Sequence, residues 1–169
     1  MKSIDPGILP KSYCFPMTPS EQAKKLYFYP TWCGHYFCTK NYFMHRQKYL
    51  YLLVIFIRSG SLHVEYRGEA VDALRGDVVL LDCTEPHYYQ ATDGLEFLYM
   101  HYDGSNAREI TLHIIDVLGW HIQREGNLMI GKLLYDMVEF YESGGIESMF
   151  ASSARIYQLF ELLLTPTPQ

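Results

Sequence analysis

The chain of 169 residues has no apolar run long enough to cross a lipid bilayer. The longest run, residues 49–57, has nine residues, whereas a membrane-spanning helix needs about 20. The N-terminus also lacks a secretory signal, because Asp5, Pro6 and Pro10 interrupt the stretch where such a signal is apolar. We therefore expect a soluble, cytoplasmic protein.

Basic residues are fewer than acidic ones. The chain has 14 Lys and Arg against 19 Asp and Glu, which gives a net charge of −5. Binding to nucleic acid depends on phosphate contacts and normally requires a basic face. The composition therefore argues against nucleic-acid binding by this chain alone.

The four cysteines lack the spacing of a metal or redox site. Cys14, Cys33, Cys38 and Cys83 form no C-x-x-C pair, so zinc and thioredoxin-type sites are not indicated. Buried free thiols in a reducing compartment are the expected state.

Aromatic residues, by contrast, are abundant. They make up 15% of the chain, and 15 of them are tyrosines. A tyrosine combines an apolar ring with a hydroxyl group, which suits a pocket for a polar ligand. The alternative is that most of these tyrosines cap strands at the surface of a barrel.

Residues 31–104 have the pattern of a small antiparallel barrel. Short apolar segments recur roughly every 8–12 residues with turn signals between them, which is typical of a sandwich or barrel. The predicted strands are residues 33–38, 41–46, 50–58, 61–66, 69–74, 77–81, 87–91 and 95–102. Gly60, Gly68, Gly76 and Gly94 fall at the turns, where the backbone needs a positive φ.

From Ser105 onward the apolar spacing becomes helical, and three helices are predicted within residues 105–164. The first has Ser105 as its N-cap, Asn127 caps the second, and the third begins near Glu147. An apolar stripe on the second helix is suited to packing against another helix; it consists of Leu133, Leu134, Met137 and Tyr141. This stripe either contacts a second subunit or packs in the core of the monomer.

Both ends of the chain differ from the middle. Residues 1–30 are rich in proline and aromatic residues, which predicts an irregular N-terminal arm. Residues 165–169, TPTPQ, have the composition of a linker. A further domain is expected after this segment.

Four short motifs occur in a characteristic order. They are Arg46 with Leu52-Leu53 and Gly60, then Leu74-x-Gly76-Asp77-x-x-x-Leu81, then Pro86-His87-x-Tyr89, then His101-Tyr102-x-Gly104. This order resembles the N-terminal cupin domain of AraC/XylS-type transcription regulators, over about residues 30–165. The resemblance implies a cupin-type (double-stranded β-helix, or jelly-roll) barrel that binds an effector, often a sugar. It also implies helices that form a homodimer and a DNA-binding domain with helix-turn-helix motifs outside this chain.

The resemblance also indicates where an effector would bind. An arginine near the position of Arg46 contacts the effector in this family, although a solvated arginine at a strand end is the alternative. Tyr89 aligns with a tyrosine of the pocket, with His87 on the same side of its strand. His101 aligns with a common family histidine, which could equally be a core residue. The arm, with Tyr13, Phe15 and Tyr29, closes over the barrel in the family's arabinose sensor.

Alternation along the last predicted strand gives an independent indication. Leu95, Phe97, Tyr99 and His101 share one face, which has the mixed aromatic and polar character of a pocket wall. The other face is apolar and is expected to lie under the helices. We predict that Phe97 and Tyr99 form a stacking platform for the ligand, with plain core packing as the alternative.

Catalytic cupins hold a metal through three histidines and one glutamate from two motifs. In the second motif, which begins at Gly76, only His87 is kept. In the first, Leu53 occupies the glutamate position and neither histidine is present. A forced register through His63, Glu65 and Glu69 would straddle the predicted Arg67-Gly68 hairpin.

These substitutions favour a sensor of a small polar molecule, a sugar or a small acid, with the sugar preferred. No catalytic residue, metal or cofactor is expected. Two alternatives remain: a cupin enzyme, such as a metal-dependent isomerase or dioxygenase, and a pure dimerisation module whose barrel is filled.

Overall fold

The computed structural model of the chain describes residues 1–3 and 5–165. Within these residues, ten strands form two antiparallel sheets and four helices complete the fold. The strands are β1 (Tyr13–Pro16), β2 (Tyr29–Cys38), β3 (Phe43–Arg46), β4 (Leu52–Ser59), β5 (Ser61–Tyr66), β6 (Glu69–Leu74), β7 (Val78–Asp82), β8 (His87–Ala91), β9 (Leu95–Asp103) and β10 (His121–Ile122). The helices are α1 (Glu21–Leu26), α2 (Ala107–Leu118), α3 (Asn127–Glu142) and α4 (Met149–Leu164).

The two sheets face each other and enclose the core of the barrel. The six-stranded sheet has the order β1-β2-β9-β4-β7-β10, and the four-stranded sheet has the order β3-β8-β5-β6. The chain crosses between the sheets repeatedly, for example at β7–β8 and again at β8–β9, so that β8 lies on the wall opposite β7 and β9. The prediction of a mainly β, cupin-type barrel followed by about three helices is confirmed, with α1 as an additional short helix.

Glycines set the turns of the barrel. Gly60, Gly68, Gly76 and Gly94 all have a positive φ, as the sequence predicts. In the β5–β6 hairpin both central residues are left-handed, with φ of 52° at Arg67 and 76° at Gly68. This is the type I′ geometry, whose twist matches that of the paired strands.

The N-terminal residues are more ordered than the predicted irregular arm of residues 1–30. Strand β1 pairs with β2 at the edge of the larger sheet, with Cys14 opposite Gly34. Helix α1 begins after Ser20, whose Oγ accepts a hydrogen bond from the Ala23 amide at 3.1 Å. The prediction of irregular structure was wrong here because the hydrogen bonds of β1 come from a strand that is distant in sequence.

The three C-terminal helices lie where predicted, but two of their predicted caps are wrong. The N-cap of α2 is Asn106 rather than Ser105. Asn127 is the first residue of α3, and its side-chain amide donates instead to the carbonyls of Gly76 (3.0 Å) and Ile122 (2.8 Å). This side chain therefore fastens α3 to the barrel.

The helices cover the outer face of the six-stranded sheet. Tyr102 of β9 hydrogen-bonds Thr111 of α2 at 2.7 Å, and its ring lies 5.9 Å from that of Phe160 of α4. In α3, Gly131 allows close contact with β4, because a Cβ atom there would lie 2.5 Å from the Phe56 ring. The helices thus pack on the barrel rather than standing apart from it.

This packing places two of the four residues of the α3 stripe in the core of the monomer. Leu134 and Met137 are 0% and 2% exposed, so both are part of the monomer core. Leu133 and Tyr141 are half-buried and pack against the same core. Helical spacing alone does not distinguish a face that meets a sheet from one that meets a partner.

The four cysteines are buried and not bonded to each other, as predicted. None of the helices in the described part of the chain is long and apolar enough to span a bilayer.

Candidate ligand-binding cavity

A cavity of about 330 Å³ lies between the two sheets. It is lined by strands β2, β4 and β9 on one side and β3 and β8 on the other. Seven aromatic side chains contribute to its wall: Trp32, Tyr36, Tyr42, Tyr49, Tyr89, Phe97 and Tyr99. Its volume is at the lower end of the range of ligand pockets, about 300–1,000 Å³, which suits a small molecule.

Strand β9 supplies one wall through simple alternation. Phe97, Tyr99 and His101 point into the cavity, whereas Leu98, Met100 and Tyr102 lie on the opposite face, under the helices. Phe97 and Tyr99 also pack against each other, with ring centroids 5.8 Å apart. Their role as a stacking platform for a ligand stays a prediction.

The tyrosines of the cavity form a connected aromatic cluster. The ring of Tyr36 lies 4.9 Å from that of Tyr99, and the ring of Tyr42 lies 6.2 Å from that of Tyr89. Burial raises the pKa of the Tyr36 hydroxyl to about 12 and raises those of Tyr42, Tyr89 and Tyr99 as well. At neutral pH these hydroxyls are therefore uncharged groups that can both donate and accept hydrogen bonds.

Arg46 brings a charge into this wall. It ends β3, opposite His87 of β8, and its guanidinium lies 4.1 Å from the centre of the Tyr49 ring. Its Nη1 atom is buried and has no hydrogen-bond partner among the described residues. This differs from the alternative of a freely solvated arginine at a strand end.

His101 also lines the cavity and is almost fully buried. Its Nδ1 atom lies 3.2 Å from the carbonyl of Leu52, to which it donates, so that Nε2 is left as an acceptor. Burial, reinforced by the Arg46 charge, lowers the pKa of His101 to about 3. The imidazole is therefore neutral at physiological pH.

His87 is the one predicted ligand-binding residue that is not part of the cavity wall. It is buried beside Tyr89, with ring centroids 6.4 Å apart, and its Nδ1 atom donates to the Glu85 carbonyl at 2.9 Å. Its Nε2 atom is buried without a partner in the described residues. Direct contact between His87 and a ligand in this cavity is therefore not supported.

The N-terminal residues complete the outer part of the wall. Met1, Lys2, Ser3 and Asp5 line the cavity, and the Met1 carbonyl accepts a hydrogen bond from the Cys14 amide at 2.9 Å. The predicted arm residues Tyr13, Phe15 and Tyr29 do not line it. Instead, Phe15 packs towards α3, with its ring 6.1 Å from that of Tyr141.

Several wall residues were missed by the sequence analysis, namely Trp32, Tyr36, Tyr42 and Tyr49. Trp32 and Tyr36 lie in β2, which the sequence predicted only from residue 33. The even-numbered positions of β2 could have revealed Tyr36, since they alternate like those of β9. Tyr42 directly precedes β3 and shares the alternation of Met44 and Arg46, which also line the cavity, so the predicted strand 41–46 could have revealed it. Tyr49 lies outside the regular strands.

The donor set of the described residues does not match that of a metal-dependent cupin. No group of three His, Cys, Asp or Glu side chains comes together there in a way that could hold a metal ion. In the alternative register, His63 is hydrogen-bonded to Asp72 at 2.9 Å on a solvent-exposed part of the sheet. That imidazole therefore faces away from the barrel interior.

The barrel therefore contains an aromatic cavity with a charged group in its wall. The family model described as the AraC-like ligand binding domain matches residues 29–160. The chain therefore belongs to this family. No curated protein matches the chain.

Solved structures give only distant similarities. YhaK from Escherichia coli has 18% identity and a TM-score of 0.46, covering 56% of this chain and 45% of its own. KdgF from a Halomonas species has 14% identity and a TM-score of 0.45, and the match covers 62% of this chain and 84% of KdgF. An HTH_3 family transcriptional regulator from Vibrio cholerae has 11% identity and a TM-score of 0.43, and the match covers 57% of this chain and 53% of the regulator. The chain thus spans about half of this regulator, and similarities this low carry no conclusion about function.

Proposed function

We propose that this chain is the domain of an AraC-type transcription regulator that binds a small polar effector, a sugar or a small acid. The observation that carries the proposal is the cavity of about 330 Å³ between the sheets, whose aromatic wall includes Arg46 with its unpartnered Nη1 atom. A cavity with a few polar groups in a mainly apolar wall is typical of small-molecule sites. Family membership supports the same function.

We assign a separate function to each of the predicted regions. Residues 31–104 form the sensing barrel, and the helical region 105–164 provides contacts to a second subunit. The large apolar side chains available for such contacts are the exposed ones: Val117, Leu128, Met129, Ile146, Phe150, Tyr157 and Leu164. A linker at residues 165–169 would lead to the DNA-binding domain, although all of this segment except Thr165 lies outside the described residues.

Two strands offer a physical route from the cavity to the helices. In β1, Cys14 lines the cavity while the adjacent Phe15 packs towards Tyr141 of α3. In β2, Tyr36 lines the cavity while the ring of the adjacent His35 lies 6.1 Å from that of Tyr135 of α3. A ligand that shifts either strand would therefore shift the support of α3.

The mechanism is a shift of population between two arrangements of the N-terminal residues and helices. Effector binding would favour one arrangement, and a coupling free energy of about 1–3 kcal/mol is typical of such switches. No covalent chemistry is required.

Thermal denaturation in the presence of a panel of sugars and small carboxylic acids tests this function. An effector at 100 times its Kd should raise the free energy of unfolding by about 2.7 kcal/mol. No stabilisation by any compound would instead favour a dimerisation module with a filled barrel. Stoichiometric iron, manganese, zinc or nickel in the purified protein would favour the cupin enzyme.

A further inference from the structure

We infer that the effector carries a carboxylate, which Arg46 binds, and that its body is apolar or aromatic rather than a neutral sugar. This inference rests on the proposed function, because it concerns the same cavity. It departs from the preference for a sugar that the sequence suggested.

Arg46 differs from the other arginines of the chain. Four of these form ion pairs with a carboxylate, namely Arg58, Arg67, Arg108 and Arg155. Arg124 donates to backbone carbonyls at the end of α4, and Arg75 is exposed. Arg46 alone combines a buried, unpartnered guanidinium nitrogen with a position in a cavity wall.

The unpaired, buried Nη1 donor of Arg46 lowers the stability of the ligand-free protein. A guanidinium is always charged and carries five N–H groups in a rigid fork, which matches the two oxygens of a carboxylate. Leaving a charged hydrogen-bonding group unsatisfied in a protein interior costs more than leaving a neutral one. A ligand carboxylate would offset this cost, and charge-assisted bonds are roughly twice as strong as neutral ones.

None of the described ion pairs joins Arg46 to a carboxylate. Burial lowers the pKa of His101 to about 3 and raises that of Cys83 to about 12, so both groups are neutral. Asp82 is paired with Arg108 at 2.9 Å. Asp5 also lines the cavity; among the described ion pairs it has none with Arg46, and its charge contributes to the raised pKa of Tyr36.

Lys2 is the other basic residue in the cavity wall, and it does not point towards Arg46. The ammonium group of Lys2 donates to the Pro10 carbonyl at 2.6 Å and lies 3.7 Å from the centre of the Tyr13 ring. It is therefore directed along the N-terminal segment rather than towards Arg46. A single guanidinium suits a single negative charge, whereas phosphate sites normally gather several cations or backbone amides.

Part of the wall favours an apolar body. Met44, Leu53, Ile55 and Phe97 contribute no hydrogen-bonding group, and they stand beside the aromatic rings of the tyrosines. A neutral sugar exposes hydroxyls around its whole rim, and those that face these four side chains would lie unpaired. An alkyl or aromatic carboxylate places no hydroxyl group against these side chains.

The test is isothermal titration calorimetry with matched pairs of compounds. Benzoate, phenylacetate and hexanoate are compared with their primary amides, and glucuronate is compared with glucose and arabinose. At least one apolar acid should bind, and its amide should bind at least 10-fold more weakly. Arg46→Gln should reduce the affinity for the acid by about 10- to 100-fold and leave the binding of neutral compounds unchanged.

Two further variants make the result decisive. Arg46→Lys keeps the charge without the fork and should retain part of the affinity. Arg58→Gln removes an arginine that is paired with Glu96 outside the cavity, and it should bind the acid like the wild type. Circular dichroism and thermal denaturation of each variant establish that it is folded.

The outcomes separate the inference from the function on which it rests. If neutral sugars bind and apolar acids do not, or if Arg46→Gln leaves the affinity for the acid unchanged, the inference is overturned and the sensor remains. If no compound of either class binds, the proposed function is contradicted and the inference falls with it.

Discussion

Tyr99 lies directly against the backbone of Gly34. A Cβ atom at position 34 would come within 2.6 Å of the Tyr99 ring and within 2.8 Å of the Tyr13 carbonyl. Gly34 is therefore required for the position of an aromatic side chain in the cavity wall, and it lies in β2 opposite Cys14 of β1. The absence of a side chain at this position shapes the cavity.

Substitution of Gly34 by alanine should displace Tyr99 and weaken ligand binding. We expect the free energy of unfolding to fall by about 1–3 kcal/mol, as for other overpacked cores. Gly131→Ala is the matched control, because it creates a similar clash with Phe56 on the helix side of the sheet. Urea denaturation should show a loss for both variants, whereas calorimetry should show weaker ligand binding for Gly34→Ala only. Equal ligand affinity in the two variants would contradict this role of Gly34.

The buried histidines should make the protein less stable in acid. The pKa of His101 in the folded state, about 3, is below the ordinary value of 6.5, and the pKa values of His35 and His87 are also lowered by burial. The unfolded chain therefore takes up protons that the folded chain does not. The free energy of unfolding should be highest above pH 6.5 and should fall as the pH drops from 6.5 to 3, with about 1.4 kcal/mol per pH unit from His101. His35 and His87 should act in the same direction.

A single substitution can isolate the contribution of His101. His101→Gln should reduce the slope of unfolding free energy against pH in this window, measured by urea denaturation. His113→Gln changes an exposed histidine of α2 and should keep the slope of the wild type. An unchanged slope in His101→Gln would show that this imidazole is not the buried neutral group described above.

The carboxylate of Asp77 should contribute strongly to stability. It is buried, accepts the Leu74 amide at 2.8 Å and lies 2.7 Å from Nε2 of His121, which connects β10 to the barrel. We expect Asp77→Ala to lower the free energy of unfolding by roughly 2–3 kcal/mol, because buried groups lose their partners. Asp72→Ala breaks a similar pair with His63, but Asp72 is 70% exposed, so a loss below about 1 kcal/mol is expected. Similar losses in the two variants, measured by thermal denaturation, would refute this distinction.

Arg124 should stabilise the last turn of α4. Its Nη2 atom donates to the carbonyls of Leu162 (2.5 Å) and Leu163 (2.8 Å), which have no partner within the helix because they lie at its C-terminus. Arg124→Ala should therefore accelerate amide hydrogen exchange in the last turn of α4 while leaving the barrel strands protected. Arg75→Ala, at an exposed position, is the control. Unchanged exchange in α4 would exclude the contact as a stabilising one.

The parts of the fold that depend on local patterns could be predicted from the sequence. Strands β5, β6 and β8 have the predicted bounds of 61–66, 69–74 and 87–91. Their alternation is clear, and glycine or proline marks their ends. The alternation of β9 likewise placed Phe97, Tyr99 and His101 on one face, and all three line the cavity.

The rest depended on contacts between distant parts of the chain. Strand β1 exists because Cys14 pairs with Gly34, and nothing in its own four residues indicates this. Leu134 and Met137 have a spacing that suits a partner helix as well as the sheet they contact. The wall residue Tyr49 reaches the cavity from a segment outside the regular strands. Local sequence carries no information on such placements.

The central claim is that a small molecule binds reversibly inside the barrel, and the fluorescence of Trp32 tests it most directly. Trp32 lines the cavity, whereas Trp120, the other tryptophan, is buried beside Tyr66 and does not. In the Trp120→Phe variant, Trp32 is the single indole, and titration with a compound that stabilises the protein should produce a saturable change in its emission. Filling the cavity with a second substitution, Ile55→Phe, should abolish this change. Saturable binding that leaves the Trp32 emission unaltered, or that survives Ile55→Phe, would contradict the account.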